Sequence, residues 1–135
     1  MEEVKKMGLN EVLNVSFSVI VTPEDIDDIM VSALEGGITH WCCEAEVMGE
    51  YLGEYGSDQI SRGGILRLHA WKNNEVYELT KEKFLKGLEK YIKKPIYSDF
   101  LEFADHEVRL DTGYADAVVA DTIIQYALFD DVIYG

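Results

Sequence analysis

The chain has 135 residues, 47% of them hydrophobic, and 26 acids against 12 bases give a formal charge of −14. That length suits one domain able to bury a core without disulfide staples, and that composition excludes a disordered chain. No apolar run approaches the ~20 residues of a membrane span, and so negative a field repels nucleic acid, arguing against direct DNA or RNA binding and favouring basic partners.

Residues 1–10 are expected to form a loosely held leader. MEEVKKMGLNEV lacks the apolar stretch of a signal peptide, which points to a soluble intracellular protein. Next, Leu13, Val15, Phe17, Val19 and Val21 alternate with Asn14, Ser16 and Ser18. Period two predicts a half-buried strand. Thr22-Pro23-Glu24-Asp25 then carries the signals of a helix start: a capping hydroxyl, proline at the first helical position, and acids at the positive end of the dipole. Ile26, Ile29, Met30, Ala33 and Leu34 recur at helical spacing, and Gly36 is placed to end the helix in a left-handed conformation.

Ile38 to Ala45 predicts a second, central strand, with His40 and Cys42 on one face and Trp41 and Cys43 on the other. Residues 46–62 have near-helical apolar spacing broken by Gly49, Gly53 and Gly56, which predicts a broken helix or a glycine-hinged loop. Ile65–Trp71 and Glu75–Leu79 form a hairpin around asparagines that tolerate positive φ. Thr80 caps a second helix with Phe84, Leu85, Leu88, Tyr91 and Ile92 on its apolar face, and Pro95 stops it. Residues 96–113 read as irregular or as one short helical turn. Asp111 precedes a last helix over Tyr114–Phe129, and the tail Val132–Tyr134 adds a short strand or packs down. The expected fold is one α/β (α+β) domain spanning residues 1–135. Its sheet is mainly antiparallel with about four strands, and two long helices pack on it.

Candidate chemistry is sparse. The two cysteines are adjacent, and disulfide geometry is wrong across one peptide bond, so thiols or metal thiolates remain. His40-x-Cys42 places an imidazole and a thiol on one strand face, a natural half of a zinc site. Cys43 is the alternative if the strand twists or ends early. His106 and Asp116 could supply the other ligands. The competing reading is a pair of core thiols beside a satisfied histidine. His69 shares an exposed-looking strand face with Arg67. Asp111, Asp116 and Asp121 recur every five residues, a spacing that spreads them around a helix. No nucleophile elbow, phosphate loop or dinucleotide fingerprint occurs, so an enzyme is not expected.

SALEGGITHWC, AEVMGEYLGEYGSDQISRGG, ELTKEKFLKG and DAVVADTIIQYALFDDVIYG together cover most of residues 12–135. In these segments the chain resembles a family of small acidic proteins encoded by phages and prophages of Gram-positive bacteria. The family is similar to a zinc-containing type II-A anti-CRISPR, an inhibitor of Cas9. The resemblance implies a phage-encoded binding protein acting in the host bacterial cytoplasm, with Cas9 as its basic partner. Asp99, Glu102 and Asp105 are the acids chosen to meet that partner. It also implies cysteines just before the last helix, where this chain has Thr112 and Gly113. That departure shifts the ligands of a zinc ion toward His106 or Asp116. Two alternatives stand beside it: a small metal-dependent enzyme built around His40 and Cys42, and an accessory protein that binds a small molecule or host protein without catalysis.

Overall fold

A computed structural model describes residues 10–93 and 100–135. In chain order these form β1 (Val19–Ile20), α1 (Pro23–Ser32), β2 (Cys42–Val47), β3 (Leu66–Ala70), β4 (Val76–Leu79), α2 (Lys81–Ile92), β5 (Leu101–Ala104), β6 (Glu107–Leu110) and α3 (Ala117–Phe129). The class is α/β as expected, but the strands fall into two three-stranded sheets rather than one of four. One sheet is the antiparallel β2-β3-β4. The other has the order β1-β6-β5, with β1 parallel to β6 and a β5–β6 hairpin. No helix among the described residues is long and apolar enough to cross a membrane.

The helix starts follow their sequence signals. Thr22 Oγ1 accepts from Asp25 N–H at 3.1 Å while the Asp25 carboxylate accepts from Thr22 N–H at 2.9 Å, a reciprocal box that satisfies two orphan donors. Thr80 Oγ1 does the same for Lys83 N–H at 3.2 Å. The end of α1 differs from expectation. The chain runs through one wide π turn, Ala33–Gly37, and neither Gly36 nor Gly37 has positive φ. What Gly37 provides is room: a Cβ there would lie 2.7 Å from Ala117 O at the start of α3.

The hairpin β3–β4 turns on Asn73 and Asn74, both at positive φ (65° and 53°), as their side-chain chemistry allows. Its inner face carries Leu66, Leu68, Tyr77 and Leu79, and its outer face pairs Arg67 with Glu78. Of residues 46–62, Glu46 and Val47 end β2, and the rest is a glycine-hinged loop with a single 3-10 turn at Gly56–Asp58. Gly49, Gly53 and Gly63 take positive φ, and buried Gln59 holds the loop by bonding Leu52 N–H and both the Leu52 and Tyr55 carbonyls. Asp58 accepts from Glu54 and Tyr55 N–H at 3.0 Å each. The Tyr55 amide foremost, with the Glu54 amide and the Arg62 charge, holds its carboxyl below the usual range.

Two strands depart from the sequence reading. The period-two stretch 12–21 enters a ladder only at Val19–Ile20, and residues 11–17 belong to none. Conversely, residues 101–110 form the β5–β6 hairpin, turning at Asp105 (φ 52°), where irregular chain was expected. Pro95, the expected helix stop, and residues 1–9 of the leader expected over 1–10 lie outside the described residues.

The core joins Ile26, Ile29 and Met30 of α1 to Leu66, Leu68 and Leu79 of the β3–β4 hairpin, with Phe84 and Leu88 of α2 and Ile123 and Ile124 of α3. Each such side chain contributes about 1.5–3 kcal/mol on full burial. Leu85, expected in the core, is exposed. Lys90 of α2 reaches the C-terminal end of α3, bonding the Asp130 carbonyl and, at 3.0 Å, its carboxylate. A cation there also meets the negative end of the helix dipole.

Candidate functional site

A shared ion at His40, Cys42, His106 and Asp116 needs one meeting point, and the structure gives them four settings. His40 is not on the strand. Trp41 N–H and Cys42 N–H both bond Ile38 O, at 3.0 and 2.8 Å, and close a turn that carries His40 and leads directly into β2 at Cys42. Cys42 is buried and its thiol points to Glu44 O at 3.3 Å. A register shift between Cys42 and Glu44 leaves Cys43 exposed, with its thiol 3.3 Å from His69 O. His106 lies in the exposed β5–β6 turn. Asp116 caps α3, accepting from Val119 N–H at 2.9 Å. Among the described residues, no group of three or more His, Cys, Asp or Glu side chains is arranged to hold one ion. The four residues as placed do not fit a zinc ion.

What the Ile38–Trp41 turn does instead is present His40 and Trp41 to one carboxylate. Asp121 of α3 accepts from His40 Nε2 at 2.8 Å and from Trp41 Nε1 at 2.8 Å. Gln125, one helical turn on and fully buried, donates to both oxygens of Asp121 (3.0 and 3.1 Å) and to Tyr134 O (3.1 Å). Its own carbonyl accepts from Ile133 and Tyr134 N–H at 2.8 and 2.9 Å. Of the tail expected to add a strand or pack down, Tyr134 is thereby packed down, while the side chains of Val132 and Ile133 stay exposed. Tyr134 then stacks on Trp41 with ring centroids 4.9 Å apart and planes 4° from parallel, and its hydroxyl meets that of Tyr77 at 2.9 Å.

Because an ionised Asp121 can only accept, His40 Nε2 carries the hydrogen and Nδ1 faces away from the carboxylate. The ring borders an open cleft of about 310 Å³ with Trp71, Lys72, Ile133 and Gly135. The Trp71 indole is held edge-on by Nε1–H to Thr39 O at 2.9 Å, leaving the ring exposed. Lys72 is exposed at its side.

The three helix-region aspartates thus do three different things. Asp111 caps a short turn through Gly113 N–H at 3.1 Å, Asp116 caps α3, and Asp121 is the hub. Sequence spacing did not single out Asp121. The available signal was Gln125, a lone amide in the apolar run Thr122–Phe129, four residues after an aspartate. His69 pairs with Glu46 at 3.0 Å on the outer face of its sheet. Of the three acids assigned to a partner, Glu102 and Asp105 are exposed on β5 and its turn, and Asp99 lies outside the described residues.

Burial of Cys42 and the Tyr77–Tyr134 hydrogen bond set the pH behaviour here. Desolvation foremost, opposed by the hydrogen bond to Glu44 O, pushes the Cys42 thiol up from 9.0 to about 11. The hydrogen bond to Tyr134 foremost, with burial, pushes Tyr77 up from 10.0 to about 12. In both cases the folded chain keeps a proton that the unfolded chain loses. The associated stability is therefore complete below pH 9 and is lost as pH rises from 9 toward 11 and 12. For Cys42 the loss is about 2 kcal/mol. Urea unfolding at successive pH values should show this decline, and Cys42→Ala should flatten its first part. An unchanged profile in that variant would count against the thiol as its source.

The chain matches no family model, no curated protein and no solved structure.

Proposed function

We infer that the protein acts by binding, laying an acidic surface on a basic host protein, and that the partner the resemblance implies is Cas9 of a type II-A system. The observation that carries this reading is the charge of −14, combined with exposed acids such as Glu102 and Asp105 that have no ion pair to another described residue. Cas9 holds its guide and target in basic channels and reads its adjacent motif with arginines. An acidic domain of this size can occupy such a surface, and electrostatic attraction then governs how fast it arrives.

Binding to purified Cas9 should weaken steeply as salt rises. Charge reversal at Asp99, Glu102 and Asp105 should slow association about tenfold and change dissociation little. Affinity that ignores salt, or failure to retain Cas9 at all, would remove the reading. Zinc enters in a narrower form. An ion held through Cys42 requires the thiol to lose its proton and the Ile38–Trp41 turn to rearrange. Elemental analysis giving about one equivalent, removed by Cys42→Ser, would support it. Metal-free protein whose melting temperature ignores chelator would end it.

A second reading, small-molecule binding without catalysis, is favoured by the cleft beside His40. There Lys72 and an oriented imidazole flank an exposed indole on an otherwise acidic chain. An aromatic carboxylate such as benzoate should quench Trp71 fluorescence, and Lys72→Glu should abolish the effect. No quenching at millimolar benzoate would dismiss this use of the cleft.

A further inference from the structure

The segment 11–17 has no regular secondary structure, joins no ladder, and makes no backbone hydrogen bond to other described residues. Its apolar side chains do not turn inward for shelter. Leu13 is 83% exposed, Val15 81% and Phe17 53%. Phe17 meets Phe103, itself 63% exposed, edge to face at 5.4 Å, so the strip continues onto β5. Beside it runs a groove of about 550 Å³ lined by Phe17, Val21, Leu85, Leu88 and Ile92 together with Glu89 and Lys93, one acid and one base. A contiguous apolar patch next to open backbone groups is a docking surface in waiting, since both features gain from being covered.

We propose that a second copy of this chain covers it. The two copies pair antiparallel through residues 11–19 across a two-fold axis at Val15. The charge pattern decides for a copy over a basic partner. Residues 12–23 are the longest run in the chain without Asp, Glu, Lys, Arg or His. On a −14 protein, such a run is where a like-charged copy meets the least repulsion, whereas the acids a basic partner would seek, Glu102 and Asp105, lie beside it on β5 and its turn. The pattern is also self-complementary. With Val15 opposite Val15, Leu13 faces Phe17 of the second copy, Asn14 faces Ser16, and Val12 faces Ser18. Glu11 falls opposite Val19. The two Glu11 side chains then sit eight positions apart along the ladder, about 27 Å, beyond the screening distance at physiological salt.

The geometry allows this pairing. β1 is an edge strand with β6 on one side, so among the described residues its other side is open. Pairing there would join the two β1-β6-β5 sheets into one of six strands, an isologous contact that closes on itself. The apolar residues at 13, 15 and 17 would share one face of that sheet, next to the α2 grooves of both copies.

Light scattering on the full chain at tens of micromolar should give twice the 15.3 kDa of one chain. Rising salt should strengthen the dimer by screening the repulsion between copies. Leu13→Asp with Val15→Asp touches only exposed side chains and should weaken dimerisation at least about tenfold with an unchanged circular dichroism spectrum. In a Cys43→Ser background, Val15→Cys should form a covalent dimer on oxidation, because directly opposite Cβ atoms start about 4.5–5.5 Å apart and a small shift of this exposed segment brings them to the about 3.5–4.5 Å of a disulfide. Leu13→Cys in the same background should not. A monomer at every salt concentration, a dimer untouched by the double aspartate variant, or a dimer that salt dissociates would each overturn the proposal. So would a monomer whose double variant loses Cas9 binding, since the strip would then belong to that partner.

Discussion

Replacing Gly87 with alanine should destabilise the protein by about 2 kcal/mol, and replacing it with leucine should leave it unfolded at room temperature. Gly87 sits in the middle of α2, where α2 and α3 come closest. A Cβ at this position would lie 2.5 Å from Ile123 O, 2.6 Å from Ala127 N and 2.8 Å from Ala127 Cα. All three are backbone atoms of α3, so no side chain can rotate away, and the helices themselves must separate. Helix propensity opposes this effect, since alanine is better than glycine in a helix interior by about 1 kcal/mol. The net loss is therefore what remains after that gain. The control is Gly49→Ala, which meets nothing within 4 Å but must adopt φ +74°. It should lose only the backbone strain, about 1–2 kcal/mol. Urea unfolding of the three variants separates close approach from strain. A Gly87→Ala protein as stable as its parent would mean that the two helices are not held at this distance.

The elements legible in the sequence were those whose signals are local. α1 and α2 begin where a threonine, a proline or an acid can satisfy the first turn, and β3–β4 turns on two asparagines. The β5–β6 hairpin was not legible because its outer face alternates Glu102, Ala104, Glu107 and Arg109 over strands of four residues. That pattern resembles solvated loop until the partner strand is known. At 12–21 the opposite error arose. Period two was real, but a ladder needs a neighbour, and the chain supplies one only at Val19 and Ile20. Likewise His40-x-Cys42 implied one strand face. The wide turn after α1 lets Gly37 lie against α3, and the chain then needs the Ile38–Trp41 turn before it can pair with β3. No local signal announces that detour, because its cause is a contact between Gly37 and a residue eighty positions away.

The second large effect is expected at Asp121. Asp121→Ala should cost about 3–5 kcal/mol, because it leaves the buried Trp41 indole N–H without its acceptor and Gln125 with one fewer, each an unpaid desolvation of about 1–3 kcal/mol. The loss should spread to the tail. Gln125 orients its carbonyl toward Ile133 and Tyr134 N–H while its amide is held by Asp121, so an amide freed from Asp121 no longer fixes Tyr134 against Trp41. The near-ultraviolet dichroism of the stacked rings should fall together with stability. Asp121→Asn should cost less. Its carbonyl can still accept from Trp41, and its new N–H can donate to His40 Nε2 if the imidazole moves its hydrogen to Nδ1. Nitrogen chemical shifts of His40 would report that tautomer change, which a purely steric role for Asp121 would not produce. His40→Ala should cost under about 1 kcal/mol, because the ring is exposed and a surface pair contributes little. The expected order of loss is therefore Asp121→Ala, then Asp121→Asn, then His40→Ala. If His40→Ala proved the most damaging of the three, the carboxylate would be serving the histidine rather than the tryptophan and the tail.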